Sequence, residues 1–210
     1  MQTHIEFHKE EKLNTISHGL GAILAVVGMF LLLSENSNKS EYARLSIMIY
    51  NLTLISMFMV SAVYHYLKNQ KLKRRLRILD HINIYFLIAG TYTPVALITL
   101  INGNGRTILY VVWSIALFGT LFKIFYTGKH EFLSLLLYVA MGWLIVLDFE
   151  NLLDYTSSMG IRLLFLGGAF YTLGIIFYAI ERIPFNHFIW HIFVLGGAAS
   201  HWYMIYSSVI

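Results

Sequence analysis

The stretch Asn186-His187-Phe188-Ile189-Trp190-His191-Ile192-Phe193-Val194-Leu195-Gly196-Gly197-Ala198-Ala199-Ser200-His201 is apolar enough to form most of a membrane helix, yet it opens with two histidines four residues apart. On a helix that spacing puts both imidazoles on one face, about 6 Å apart along the axis, as a shared metal ion would require. Ionisable side chains inside an apolar span are costly and mark functional sites by default.

Working outward, similar apolar windows fill the rest of the chain. Of 210 residues 58% are hydrophobic and only 12% charged, about half the charged share of a soluble domain. The windows are about twenty residues long and do not alternate, which predicts an all-α, polytopic bundle and excludes a β-barrel pattern. Seven transmembrane helices are expected, at about 15–33, 45–67, 81–101, 107–126, 132–149, 161–180 and 187–208, forming one domain over 1–210. The acids between spans five and six (Asp148, Glu150, Asp154) read as a solvated loop, and Gly90 and Pro94 predict a kink in span three. The residues from Met1 to Lys12 carry no small-residue cleavage site and read as a polar segment ahead of span one, with no removable signal peptide.

Charge gives the orientation. With the amino terminus inside, the cytoplasmic segments collect Lys9, Lys12, the six cations of the loop Lys68–Arg77, Lys123, Lys129 and Arg182, eleven of the fifteen Lys and Arg. The expectation is therefore a cytoplasmic N-terminus and an outside C-terminus. The net charge of +4 is explained by this topology, so nucleic acid is not an expected partner. With no cysteine, disulfides, thiolate metal sites and cysteine nucleophiles are excluded.

That topology gathers His65 at the end of span two, Asp80 at the start of span three and His187 and His191 at the start of span seven, all at one membrane face. Three imidazoles and a carboxylate suit zinc, and three nitrogens leave a coordination position open for chemistry. Ser61, one turn before His65, could orient that histidine or a water. Each residue also has a plainer reading: a helix-end histidine reaching the headgroups, Asp80 capping its helix, Ser61 serving helix packing. His81 points to another face than Asp80. His18 and His201 read either as supports of the site or as hydrogen-bonding residues between helices.

These residues resemble the hemolysin III family, the bacterial branch related to the progestin and adiponectin receptors. The matching stretches are Glu11-x-x-Asn14-x-x-Ser17-His18-Gly19, Ser61-x-x-x-His65, Leu79-Asp80-His81-x-x-Ile84 continuing to Ala89-Gly90-Thr91-Tyr92-x-Pro94, and His187-x-x-x-His191. The related receptors and the alkaline ceramidases share a serine, an aspartate and three histidines with zinc on the cytoplasmic side. The resemblance implies that pattern for Ser61, His65, Asp80, His187 and His191, with Asp80 reaching the metal through water, in a multi-pass protein of the bacterial plasma membrane. Two function classes follow. One is a zinc-dependent intramembrane hydrolase of lipid amides or esters, with Asp80 and Ser61 catalytic and a membrane lipid entering between helices. The other is a non-enzymatic membrane-homeostasis, membrane-perturbing or sensor protein with a structural zinc. A transporter ranks below both, because the ionisable residues gather at one face and do not mark a path.

Overall fold

In a computed structural model, which describes residues 4–210, the chain is all-helical: α1 His4–Ser34, α2 Ala43–Tyr66, α3 Gln70–Pro94, α4 Gly105–Tyr126, α5 Glu131–Gly142, α6 Phe149–Tyr155, α7 Ser158–Ala179 and α8 Asn186–Met204. Met1 to Thr3, part of the polar segment expected ahead of span one, lie outside the described residues. Among the described residues six stretches are long and apolar enough to cross a membrane, at 8–34, 43–66, 70–99, 105–126, 131–155 and 158–179. The seventh expected span corresponds to α8, 19 residues long, which is not among those six and carries Asn186, His187, His191 and His201 within it. The helices pack in chain order around a ring: α1 on α2, α2 on α3, α3 on α4, and α7 on α8, which returns to α1. Leu20, Ile23, Phe30, Phe118 and Phe125 are exposed on the outside, as lipid-facing positions are.

Three boundaries differ from the sequence reading, each for a visible reason. The polar segment before span one is not separate; α1 runs unbroken from His4, because its acids dock onto other helices as described below. The basic loop is mostly helix. Only Leu67–Asn69 separate α2 from α3, and the Asn69 side chain accepts from the amides of Lys71 and Leu72 at 3.0 and 3.2 Å, capping a first turn of good helix formers. Span five is broken at Trp143 into α5, a 3₁₀ turn Leu144–Asp148 and α6. Tyr92 holds the break, its hydroxyl donating to the Gly142 carbonyl at 3.0 Å and accepting from the Ile145 amide at 2.9 Å.

The acids after that break are corrected in part. Asp148 is buried, accepting from the Asn104 amide and side chain at 2.8 and 3.0 Å and from Asn151 at 2.8 Å, so it clamps the turn between α3 and α4. Glu150 and Asp154 are exposed but helical. After Pro94, which has no N–H to donate, the backbone passes from α to π geometry over Val95–Thr99.

Candidate metal centre

Side chains of α1 and α2 meet the N-terminal part of α8. The chain turns there through Phe185 at φ +57°, and the first free amides of α8, those of His187 and Phe188, donate to Glu10 Oε1 of α1 at 3.0 and 3.2 Å. A carboxylate from another helix thus caps α8 and fixes the height of its first histidine. His187 and His191 then lie one above the other and face His65, whose own helix brings it to the same level. One ligand atom from each of the three lies within 4.8 Å of the others, and the ring centroids are 4.9 to 5.1 Å apart. His65 and His191 are buried and His187 half-buried.

The surroundings hold these rings in place. His65 Nδ1 lies 3.2 Å from Glu11 Oε1, and the other oxygen of Glu11 is ion-paired with Lys73. Because the carboxylate takes Nδ1–H, Nε2 of His65 is left as a bare lone pair; it is buried and has no hydrogen-bond partner. A buried acceptor without a donor is costly unless something electrophilic meets it, and metal-bound histidines are typically tied to a carboxylate through their other nitrogen. The His18 ring stacks on His191 at 3.6 Å and 10°, and Ser17 Oγ lies 3.5 Å from His191 Nδ1. The three histidines could therefore hold a metal ion, and the all-nitrogen donor set suits a borderline divalent ion.

Asp80 stands outside this trio. It and Ser61 both line a cavity of about 140 Å³ with His18, His187 and His191. The cavity is otherwise largely apolar and continues along α8 past Trp190 and Val194 to His201 and Met204. Its wall between α5 and α7 includes Trp143 and Thr172, both exposed, joined by a Trp143 Nε1–H···Oγ1 bond of 3.4 Å. His81 is not one of the trio; it lines the same cavity as Asp80, with Nδ1 3.6 Å from Glu131, which also accepts from Lys123 Nζ at 2.6 Å. His201 sits deep in α8, with Nε2 3.1 Å from the Leu164 carbonyl.

Reading the sequence did not assign Glu10 or Glu11 to the site. Two adjacent acids at the edge of an apolar run gave a signal, but nothing in their spacing says which helices they meet.

Fold and site together define an all-helical membrane protein with a histidine trio, two of whose members line one end of a largely apolar cavity. The Haemolysin-III-related family matches residues 6–202, and the chain belongs to that family. It is 39% identical to Hemolysin-3 of Bacillus cereus over 98% of this chain and 94% of that one. To the Hemolysin-3 homolog of Bacillus subtilis (strain 168) it is 41% identical over 94% and 93%. To the monocyte to macrophage differentiation factor of Homo sapiens it is 30% identical over 94% of this chain and 84% of that one.

Proposed function

We propose that this protein is a zinc-dependent hydrolase of lipid amides or esters in a bacterial plasma membrane, with its amino terminus and the histidine trio on the cytoplasmic side. The observation that carries the reading is the continuity of one cavity from His187, His191, Asp80 and Ser61 into a largely apolar chamber, the surroundings that an acyl chain prefers to water. The residues fit the ion: three imidazoles, one with its free nitrogen orphaned, and no competing thiol. Zinc bound there would supply Lewis acidity and bring the ionisation of a water close to neutral pH.

The side chains divide the remaining work. Glu11 holds His65 in one tautomer, with Nε2 turned to the site. Asp80 takes a proton from the attacking water and passes it to the leaving nitrogen or oxygen as the acyl bond breaks, and Ser61 donates to the oxygen on which charge develops. The apolar chamber aligns the lipid and keeps bulk water from the reacting carbonyl. A membrane lipid enters from the bilayer between α5 and α7, past Trp143 and Thr172. The test is turnover of lipid amides and esters by purified, metal-replete protein against an Asp80→Ala variant. Hydrolysis lost in the variant supports the reading, and a parent protein indistinguishable from the variant on every lipid overturns it.

A second reading is favoured by the contacts around the trio. Glu11 ties α1 to His65 of α2, and His18 of α1 stacks on His191 of α8, so an ion that cross-links α2 and α8 would also hold α1 through these contacts. In that case the protein perturbs or senses the membrane without turnover, in keeping with the name hemolysin borne by its relatives. Asp80→Ala would then leave every metal-dependent property intact.

A further inference from the structure

His201 is the third histidine of α8, ten residues beyond His191 and so about 15 Å further along the helix axis. One edge of its ring lies against Gly167 of α7, where a Cβ would stand 2.2 Å from Cδ2 and 2.3 Å from Nε2. Any larger residue at 167 would displace the ring. Nε2 is 3.1 Å from the Leu164 carbonyl, which can only accept, so Nε2 carries the proton and Nδ1, on the opposite edge, is a bare acceptor. His201 lines the cavity, and Nδ1 has no hydrogen-bond partner among the described residues.

Tyr171 lines the same part of the cavity, its ring centroid 5.5 Å from that of His201. Its hydroxyl likewise has no hydrogen-bond partner among the described residues. A free acceptor and a free donor thus share one end of a chamber whose walls are largely apolar. At this depth in a membrane protein, polar groups left unpaired are costly.

We propose that His201 Nδ1 and the Tyr171 hydroxyl form a distal subsite for a hydroxyl group carried mid-chain by an acyl ligand whose carbonyl end lies at the histidine trio. The inference rests on the acyl-binding reading of the cavity given above. A hydroxyl satisfies both groups at once, donating to Nδ1 and accepting from Tyr171. A keto or ether oxygen can only accept and would leave Nδ1 bare, and a plain hydrocarbon leaves both unpaired. The axial separation from His191 sets the hydroxyl in the middle of the chain and not beside the headgroup.

The test compares binding of stearate and of a mid-chain hydroxystearate to the detergent-purified, metal-loaded full chain. It uses the parent, Tyr171→Phe and His201→Phe, with metal content measured on each. The parent is expected to bind the hydroxy acid about tenfold tighter, the size of one or two buried hydrogen bonds. The preference should vanish in both variants while stearate affinity and metal content hold. Tyr171→Phe keeps the ring and removes one oxygen, so it tests the subsite even if His201→Phe fails to fold.

Equal affinity for the two acids in the parent, or a preference that survives Tyr171→Phe, overturns the proposal. Because binding is read and not turnover, the two readings fail separately. A chain that prefers the hydroxy acid but hydrolyses nothing keeps this subsite and loses the hydrolase. A hydrolase that binds both acids alike does the reverse.

Discussion

Glu11 of α1 and His65 of α2 meet through Oε1 and Nδ1 at 3.2 Å, and that contact decides which nitrogen of His65 faces its two partner histidines. Replacing the acid by its amide keeps the shape but not the charge, and lets the side chain present a donor to Nδ1. Glu11→Gln is expected to lower metal affinity by about 10- to 100-fold, the usual effect of losing a carboxylate behind a metal-bound imidazole. Competition with a chelator of known affinity measures it. An unchanged affinity would mean that Glu11 serves only its ion pair with Lys73.

The trio itself predicts stoichiometry. Elemental analysis of detergent-purified protein should find about one zinc per chain, falling to background in His191→Ala, since two imidazoles rarely retain the ion. Chelation of the parent should lower its melting temperature, because the ligands come from two helices that the ion would cross-link. Protein prepared without chelators that carries no metal would sink the hydrolase and the staple together.

Asp80 separates those two. Standing outside the trio, it should be dispensable for binding the ion, so Asp80→Ala is expected to keep its metal while lipid hydrolysis falls by about 10²- to 10⁴-fold, the range for a lost general base. Parallel metal analysis and turnover on the same preparation check it. Loss of metal in Asp80→Ala would reassign the carboxylate as a ligand.

What could be read beforehand follows from how local each signal is. The i, i+4 pair His187 and His191 is visible within one turn, and hydropathy with the placement of Lys and Arg brings His65 and Asp80 to the same end of the bundle. Contacts between distant segments leave no such trace. Nothing near Glu10 indicates that it caps a helix 177 residues later, and nothing near Asp148 indicates that Asn104 will bury it. The basic segment 68–77 shows the opposite failure: its charges suggested solvent and a loop, while the Asn69 cap and the helix propensity of Lys, Arg and Leu made it the opening of α3. The break in span five came from Tyr92, on another helix altogether.

The Glu10 cap can be tested apart from any metal. Its Oε1 takes the amides of His187 and Phe188, two of the donors that the start of α8 cannot satisfy itself. Glu10→Ala is expected to cost about 1 kcal/mol, as a lost cap does, which corresponds to roughly 2–4 °C in melting temperature for a chain of this size. Glu10→Gln keeps an acceptor oxygen and should recover most of that loss. The height of His187 depends on the same contact, so the alanine variant should also bind metal more weakly than the glutamine variant. A melting temperature unchanged in Glu10→Ala would show that α8 is positioned by its packing on α1 and α7 alone.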